Sequence, residues 1–448
     1  MLRTKRSLLP AVLALAVVVP SPAGQPPSTQ KPGPVPGGWQ AAAPRAEIKP
    51  SFAQDPKGGP KGDGCLTITA DQREGLHGYW QKTFSVTGGK FYQLHAVRKT
   101  HQVAEPRRSA VARVLWRDDN GKPVRADPPD EADPKGYLPV AEPEYPGDGE
   151  TRADGWTEVT GTYRAPAKAT RAVVELHLRW APGGRIDWAE AALTESAPPP
   201  PRKVRLAAVH FRPRGGKTPM DNCRMFEPLI AEAAKQKADL VVLGETITYV
   251  GLGKTFADVA EPVPGPSTEY FCALAQKHNL YLVVGLVERD GHLIYNVAVL
   301  IGPDGRIIGK YRKVCLPRGE VEGGLAPGKE YPVFPTRFGK VGMMVCYDGF
   351  FPEVARELSN RGAEVIAWPV WGCNPLLASA RACENHVYLV SSTYEEVKAN
   401  WALTAVYGHN GQPLVRAEKM GTVVVAEVDL SRRFFWRNNL GDFRAEVY

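Results

Sequence analysis

Beyond its first 23 residues the chain contains no apolar run long enough to cross a bilayer. This absence excludes a protein with several membrane spans, because a spanning helix needs roughly 20 apolar residues. The sequence also lacks a basic stripe, since its 56 Lys and Arg and 48 Asp and Glu are intermingled despite a formal net charge of +8. We therefore expect a solvated basic surface and no nucleic-acid partner.

Cysteine is sparse and has no repeated spacing of the kind that holds a metal ion. An odd total of seven also argues against a complete disulfide framework, so we expect mostly reduced, buried thiols. We expect neither a metal nor an organic cofactor. The cysteines are Cys65, Cys223, Cys272, Cys315, Cys346, Cys373 and Cys383.

Residues 1–23 have the composition of a cleavable export signal. Arg3, Lys5 and Arg6 precede an apolar stretch over residues 8–19, and small residues follow it. An uncleaved membrane anchor is the alternative, but this apolar stretch is shorter than the roughly 20 residues that an anchor needs. The sequence therefore favours export to the periplasm or the extracellular space.

The region before residue 203 divides into three parts. Residues 24–63 are rich in proline, glycine and lysine, which predicts a disordered spacer. Residues 64–196 contain short segments in which apolar and polar residues alternate, the pattern of strands with one buried face, and turn clusters separate these segments. This pattern predicts an antiparallel β-sandwich of the jelly-roll kind. Residues 197–202 are a stiff, proline-rich linker.

The predicted sandwich resembles the carbohydrate-binding modules that accompany many exported enzymes. The resemblance rests on the strand rhythm and on four tryptophans: Trp80, Trp116, Trp156 and Trp188. Exposed tryptophans could stack on sugar rings, whereas buried ones would fill the core of the sandwich. Core packing is the more common role for any single tryptophan, so carbohydrate is only a possible partner.

From residue 203 to residue 448 the rhythm changes to strand, helix, strand. The first helix is predicted from a capping Asp221, and a helix near residue 352 ends at Gly362. The order of strands and helices recurs in two similar halves, which predicts an α/β fold with two facing sheets and helices outside them, an α-β-β-α sandwich.

Three strand exits in this region carry reactive side chains. Glu245 ends the apolar run LVVLGE, Lys313 ends the strand in YRKVCLP, and Cys346 ends the strand in MMVCYDG. Burying an unpaired charge is costly, so the carboxylate and the ammonium are expected to meet each other. Together they would serve a thiol nucleophile, because the carboxylate can take its proton and the ammonium can stabilise a developing negative charge.

These segments resemble the signature segments of the nitrilase, or carbon-nitrogen hydrolase, superfamily. The matching stretches are GETITY, GKYRKVCLP and GMMVCYDGFFPE, in the expected order. RACENHVYLV, with Arg381, Glu384 and Asn385, is similar to the segment that follows them in that family. The resemblance covers roughly residues 203–430.

The resemblance implies a role for each of these side chains. Glu245 would be the general base, Lys313 the cation beside the oxyanion, and Cys346 the nucleophile. A second glutamate usually follows the lysine and positions the reacting groups. Glu320 and Glu322 are both available, and the spacing to the following PG turn favours Glu320.

The pocket is expected to differ from the family pattern at two positions. Glycine precedes Glu245 where proline is common, and Cys315 stands where histidine is often found. We expect the substrate to meet Tyr347, whose backbone amide would bind negative charge. The residues Trp368, Trp371 and Cys373 are expected to line or support a narrow or apolar pocket, unless they serve only helix-sheet packing.

The predicted function is hydrolysis of a non-peptide carbon-nitrogen bond through a Cys thioester. The substrate would be a small amide or carbamoyl compound, with a nitrile less favoured. A papain-like hydrolase is a rival, but the histidines occur in no signature of that kind. An exported carbohydrate-binding protein with an inactive nitrilase-like domain is another. The resemblance also implies a homodimer, to which the aromatic cluster at residues 434–436 could contribute.

Overall fold

The computed structural model describes residues 36–127 and 140–432. The predicted export signal at residues 1–23 and the aromatic cluster at residues 434–436 lie outside the described residues. Within the described part, no helix has the length and apolarity that a bilayer span requires. The described chain comprises a sheet-rich N-terminal region and an α/β region.

The strands of the N-terminal region are β1 (Gln40–Ala42), β2 (Ser51–Asp55), β3 (Cys65–Thr69), β4 (His77–Ser85), β5 (Phe91–His101), β6 (Ala112–Arg117), β7 (Gly147–Thr151), β8 (Thr157–Arg164), β9 (Arg171–Arg179) and β10 (Arg185–Ser196). A short helix, α1 (Pro106–Ser109), lies between β5 and β6. One antiparallel sheet has the order β1-β4-β9-β6 and the other has the order β2-β3-β10-β5-β8-β7.

The two N-terminal sheets share one hydrophobic cluster. Ile68 and Leu94 from one sheet pack with Val114 and Val174 from the other. The four tryptophans in which we looked for sugar contacts are all buried: Trp80, Trp116, Trp156 and Trp188. These rings fill the interior, so the core-packing alternative is correct for them and carbohydrate binding gains no support from them.

The structure corrects the part of the predicted spacer that it describes, residues 36–63, while residues 24–35 lie outside the described residues. Strand β1 pairs with β4, and β2 pairs with β3 over residues 51–55. Trp39 is buried in the shared hydrophobic cluster. These residues are ordered because the neighbouring strands satisfy their backbone groups and the core buries the indole ring. The sheets therefore begin before residue 64.

The α/β region begins with β11 (Lys203–His210), seven residues after β10 ends. Its other strands are β12 (Leu240–Val242), β13 (Tyr281–Asp290), β14 (Leu293–Ile301), β15 (Ile307–Arg312), β16 (Val333–Pro335), β17 (Lys340–Met343), β18 (Val365–Pro369), β19 (Tyr388–Ser392), β20 (Ala405–Tyr407), β21 (Pro413–Arg416) and β22 (Thr422–Asp429). Its helices are α2 (Pro219–Met225), α3 (Glu227–Lys235), α4 (Phe256–Val259), α5 (Pro266–His278), α6 (Arg318–Glu322), α7 (Pro352–Asn360) and α8 (Pro375–Asn385).

The strands of this region form two mixed sheets. One has the order β15-β14-β13-β12-β11-β22 and the other has the order β16-β17-β18-β19-β20-β21. In both, parallel pairs (β11-β12-β13 and β17-β18-β19) are followed by antiparallel hairpins (β14-β15 and β20-β21). The recurring halves expected from the sequence are therefore present.

Alternation along the strands places the sheets face to face. In β11, Leu206 and Ala208 enter a cluster that also contains Met343 and its strand partner Ala367 of the other sheet. Val209, next to Ala208, points the other way, into the cluster with α2, α3 and α5. Residues of α7 and α8 cover the second sheet. The layers are helix, sheet, sheet and helix, so the predicted α/β sandwich is confirmed.

The first helix of the α/β region differs from its prediction. Its N-cap is Thr218, whose side chain accepts from the backbone N–H of Asp221, and Asp221 completes a capping box. The helical run also breaks at Phe226, before α3 begins at Glu227 with a proline in its first turn. Thr and Asp both cap helices, so the sequence does not distinguish the N-cap position from N3, and only the backbone conformation does.

Candidate active site

The three strand exits that we singled out meet in one place. Glu245 follows β12, Lys313 follows β15 directly, and Cys346 begins a 3-10 turn after β17. Lys313 Nζ lies 3.6 Å from Glu245 Oε1 and 2.6 Å from Glu320 Oε1. The charges of both Glu245 and Lys313 act on the Cys346 thiol. The carboxylates, the ammonium and the thiol therefore form one cluster at the strand exits of the two sheets.

Glu245 is held at both carboxylate oxygens. The backbone N–H of Trp371 donates to Oε2 at 2.6 Å, and the side chain of Asn296 donates to Oε1 at 3.1 Å. The hydroxyl of Tyr394 donates to the backbone carbonyl of Glu245 at 2.5 Å. A carboxylate fixed in this way has few alternative rotamers, which is what a proton acceptor aimed at one thiol requires.

Lys313 is fully buried between two carboxylates. Burial disfavours the ammonium, but the negative charges of Glu245 and Glu320 outweigh this effect and raise the pKa of Lys313 above its usual value. The lysine therefore remains a cation inside the protein. Its charge is available to an anion that develops beside Cys346.

The two candidate second glutamates differ in their surroundings. Glu320 is buried on α6 and accepts from both Lys313 and Asn296. Burial raises the pKa of Glu320, while the lysine opposes that rise. Glu322 is exposed and pairs with Arg318 on the same helix. Of the two, only Glu320 lies in the charged cluster.

The turn that carries Cys346 is Cys346–Phe350. Cys346 itself has a φ of 40°, a left-handed conformation that costs energy for a residue with a Cβ. Asp348 stabilises the turn by accepting from the backbone N–H of Val345 at 2.9 Å. Arg381 donates from its guanidinium to the carbonyls of Gly349 and Phe350. The surroundings thus fix a strained nucleophile turn.

Asp348 also joins this turn to the loop after Lys313. Its carboxylate accepts from the backbone N–H of Cys315 at 2.8 Å and from the hydroxyl of Tyr311 at 2.8 Å. One buried carboxylate therefore sets the position of the nucleophile turn relative to the strand that ends at Lys313. Cys315 stands beside this link, where burial and the Asp348 charge raise its pKa to about 12.

The resting state of Cys346 is a neutral thiol. Burial, followed by the negative charge of Glu245, raises the pKa of Cys346 well above its usual value, although Lys313 pulls in the other direction. A thiol in this state is a poor nucleophile until a base takes its proton. The adjoining carboxylate of Glu245 is the group placed to do so.

The predicted lining residues separate into two groups. Trp368 and Cys373 are fully buried. The indole of Trp368 donates to the carbonyl of Cys346 at 3.2 Å, so it supports the nucleophile turn from the core. Tyr347 and Trp371 are half-buried, and their rings pack against Phe350 and Tyr394 respectively. Of the four, only these two are partly exposed.

The sequence did not reveal Asn296 or Tyr394 as residues of the site. It also did not reveal that Asp348 links the nucleophile turn to the loop after Lys313. Asn296 opens the apolar run NVAVLI, where a polar side chain is costly unless it is hydrogen-bonded. That cost was the available signal for Asn296. Tyr394 gave no such signal, because a buried tyrosine is common in cores.

All seven cysteines are free thiols. Across residues 36–127 and 140–432, no cluster of three or more His, Cys, Asp or Glu side chains is arranged to hold a metal ion.

A two-sheet α/β sandwich with glutamate, lysine and cysteine at neighbouring strand exits is the arrangement expected of a carbon-nitrogen hydrolase. The family described as carbon-nitrogen hydrolase matches residues 205–438, just over half of the 448 residues. The chain belongs to this family, and it is a carbon-nitrogen hydrolase enzyme.

Known proteins similar to this chain include amidases and a nitrilase. Omega-amidase NIT2-B of Xenopus laevis is 33% identical over 251 residues, which cover 51% of this chain and 89% of that protein. A protein named nitrilase from Pyrococcus abyssi is 40% identical over 198 residues, covering 42% and 74%. The crystal structure of Saccharomyces cerevisiae Nit3 has a TM-score of 0.46 at 27% identity, covering 52% of this chain and 93% of that one.

Proposed function

We propose that this protein hydrolyses the amide bond of a small molecule through a thioester on Cys346. The observation that carries the proposal is the buried contact of Lys313 with Glu245 and Glu320 beside the Cys346 thiol. A base, a permanent cation and a nucleophile are the parts that acyl transfer needs. The names of the amidase relatives support an amide as the substrate.

In the first step Glu245 takes the proton of Cys346, and the sulfur attacks the carbonyl carbon of the amide. The carbonyl π electrons move onto oxygen, which becomes an oxyanion. Lys313 and the backbone N–H of Tyr347 stabilise that oxygen. As the first residue after Cys346 in its turn, Tyr347 has no intrahelical partner for its N–H.

Collapse of this intermediate breaks the carbon-nitrogen bond. Glu245 returns the proton to the leaving nitrogen, which departs as ammonia or an amine and leaves a thioester on Cys346. Glu245 then takes a proton from water, whose oxygen attacks the thioester carbon. The acid is released, and Cys346 recovers its proton. A carbamoyl compound would follow the same steps.

A nitrile is the less favoured substrate. Attack of Cys346 on a nitrile carbon, with a proton passed to the nitrogen, gives a thioimidate that must add one water and lose ammonia to become the thioester. A second water is then needed to release the acid, so a nitrile requires one more step than an amide. Several of the most similar curated relatives are omega-amidases, while one is named a nitrilase. We therefore place amide and carbamoyl compounds first.

The test is release of ammonia from a panel of amides, carbamoyl compounds and nitriles by wild type, Cys346→Ala and Cys272→Ala. Cys272 is a half-buried thiol on α5 and serves as the matched control. We expect Cys346→Ala to lose at least about 10⁴-fold in kcat and Cys272→Ala to keep wild-type turnover. Rapid quenching followed by mass spectrometry should find the acyl group on Cys346. Near-wild-type turnover by Cys346→Ala would refute the proposal.

We also propose a homodimer that forms beside the nucleophile turn. Phe351, Leu376 and Trp401 are 37%, 75% and 44% exposed, a group of apolar side chains at the starts of α7 and α8 and in a following loop. Exposed apolar groups of this kind mark interaction surfaces. Light scattering should give a dimer for wild type and a monomer for Leu376→Glu. A monomeric wild type contradicts the proposal.

Export remains a proposal that rests on residues 1–23. Expression of the full chain in a bacterial host should yield a protein in the periplasm or medium that begins near residue 24. N-terminal sequencing of the secreted protein checks this outcome. A protein retained with its first residues intact contradicts it.

A further inference from the structure

We propose that Asn296 is a positioning residue that holds the Glu245 and Glu320 carboxylates beside Lys313. This inference rests on the function proposed above, because it assigns Asn296 a task in the same charged cluster. It adds a fifth side chain to Glu245, Lys313, Glu320 and Cys346.

The backbone fixes where Asn296 stands. The residue lies on β14, and alternation places its side chain on the same face as Ala298 and Leu300, which belong to the core between the two sheets. The backbone N–H of Lys313 donates to the carbonyl of Asn296 at 2.9 Å. The ladder between β14 and β15 therefore keeps the amide side chain next to the lysine.

The Asn296 side chain makes two hydrogen bonds, both to catalytic candidates. Its Nδ2 atom donates to Glu245 Oε1 at 3.1 Å and to Glu320 Oε1 at 3.0 Å. Among the described residues, its Oδ1 atom has no hydrogen-bond partner. The amide is fully buried, so its two donated bonds are the contacts that explain a polar side chain at this position.

The charge balance shows why such a donor is needed. Two carboxylates face one ammonium, and both approach Lys313 with the same oxygen that Asn296 contacts. One cation leaves an excess negative charge in a buried place, where like charges disfavour ionisation of both groups. The amide supplies a donor to each carboxylate without adding another cation.

A second cation would solve the same problem less well. It would also attract the Cys346 thiolate and weaken the ability of Glu245 to take a proton. A neutral donor such as the Asn296 amide restricts the rotation of the Glu245 carboxylate and leaves that carboxylate basic. Other titratable groups also lie near this cluster. Tyr394 donates from its hydroxyl to the backbone of Glu245, and both Asp348 and Cys315 feel the charge of Lys313.

Asn222 provides a matched control whose side chain donates to backbone carbonyls and to neither carboxylate. It is also a buried asparagine, and its Nδ2 atom donates twice, to the carbonyls of Ile247 and Val250 at 2.9 and 2.8 Å. Both side chains therefore make the same number of bonds in the interior. They differ in the acceptors, which are backbone carbonyls for Asn222 and carboxylates for Asn296.

The experiment compares Asn296→Leu, Asn296→Asp and Asn222→Leu with wild type. The measurements are kcat/KM for an amide across pH and the melting temperature of each variant. Losing donors to charged groups should lower kcat/KM at pH 7 about 100-fold in Asn296→Leu. It should also move the acid limb of the profile to higher pH by about one unit, because the ionised carboxylates lose stabilisation.

The other variants separate packing from hydrogen bonding. Asn296→Asp preserves the size of the side chain but adds a third carboxylate, so we expect a loss at least as large. Asn222→Leu should lower the melting temperature and leave the acid limb where it is in wild type. An Asn296→Leu enzyme with the wild-type acid limb overturns the inference, even if its melting temperature falls.

Two further results complete the test. Should Asn296→Leu fail to fold, Asn296→Ser retains one hydroxyl donor. An acid limb that moves to higher pH in that variant supports the inference, and an acid limb at the wild-type pH overturns it. Near-wild-type turnover by the Cys346→Ala variant would refute the proposed function itself. That result is distinct from a failure of the Asn296 variants.

Discussion

Cys315 and Cys346 are both half-buried thiols with raised pKa values, yet their neighbours give them different chemistry. Beside Cys315, burial and the negative charge of Asp348 are the main influences. Cys346 has both a base, Glu245, and the ammonium of Lys313. A raised pKa therefore does not identify a nucleophile. What distinguishes Cys346 is the pair of groups that can remove its proton and then stabilise the product of its attack.

Glu320 and Glu322 offer a direct test of the second glutamate. Glu320→Gln replaces a carboxylate 2.6 Å from Lys313 with a neutral amide, so we expect kcat/KM to fall about 10²- to 10⁴-fold. Glu322→Gln removes only an exposed pair with Arg318 and should remain within twofold of wild type. Steady-state kinetics on one amide checks both variants. The reverse order of effects would assign the role to Glu322.

At this scale the sequence predicted the charged residues and missed the neutral ones. Glu245, Lys313 and Cys346 were recognisable because reactive groups at the ends of apolar strands lack a packing purpose. The two carboxylates that explain Asn296 lie 51 and 24 residues away along the chain. Only the tertiary structure brings them together, so no local pattern could predict the contact.

Among the elements, the nucleophile turn depends on a single carboxylate. The wild-type carboxylate accepts hydrogen bonds from Val345, Cys315 and Tyr311. In Asp348→Asn, the side-chain NH2 group would face at least one of these donors, and that hydrogen bond would be lost. We expect a loss of about 1–3 kcal/mol in the free energy of unfolding and a lower kcat, because the turn loses its position relative to Lys313. Thermal unfolding and steady-state kinetics measure the two effects.

Tyr311→Phe is the matched variant for this prediction. It removes one of the three donors to Asp348 and leaves both backbone donors in place. Its losses in melting temperature and kcat should be smaller than those of Asp348→Asn. Equal or larger losses in Tyr311→Phe would show that the backbone contacts of Asp348 are not what holds the turn.

The edge strands β1 and β2 lead to a prediction about the N-terminal boundary. A chain that begins at residue 64 lacks both strands and the buried Trp39, whereas a chain that begins at residue 36 retains them. Removing a buried tryptophan costs about 3–5 kcal/mol, and uncovered strand edges promote association. The shorter chain should melt at lower temperature and aggregate on size exclusion. Equal behaviour would contradict the early start of the sheets.

Strand and helix order was predictable from the sequence, but pairing was not. The period-two pattern in β5, β9 and β10 and the helix at α7 were readable locally. Strands β1 and β2 were missed because their segment is rich in proline and glycine, which normally indicates a spacer. These two strands form because β1 pairs with residues 79–81 and β2 pairs with residues 65–69, which a local pattern does not reveal.

For the molecule as a whole, a pair of histidines, His177 fully buried and His77 half-buried, links stability to pH. On β4 and β9, His77 Nε2 lies 3.0 Å from His177 Nδ1, and His177 Nε2 lies 3.0 Å from a carboxylate oxygen of Glu175. Arg113 also donates to Glu175. Burial lowers the pKa of His77 to about 4 and that of His177 to about 3.

These shifts predict sensitivity to acid. The unfolded chain binds protons at these two histidines below about pH 6.5, whereas the folded chain binds protons at them only below about pH 4. Stability is therefore full above pH 6.5 and falls as the pH drops from there towards 4. In His77→Gln and His177→Gln, the melting temperature should fall less between pH 7 and pH 5 than in wild type. Exposed His292→Gln is the control, and a slope equal to wild type in the paired variants contradicts the prediction.

Keeping the sulfur of Cys346 protonated at rest also protects it. Peroxides and foreign disulfides react with thiolates, and they react far more slowly with neutral thiols. An enzyme of this design creates its reactive anion only in the company of a substrate. Under the proposed mechanism, the resting enzyme should therefore lose activity to oxidants only slowly where no reductant is present.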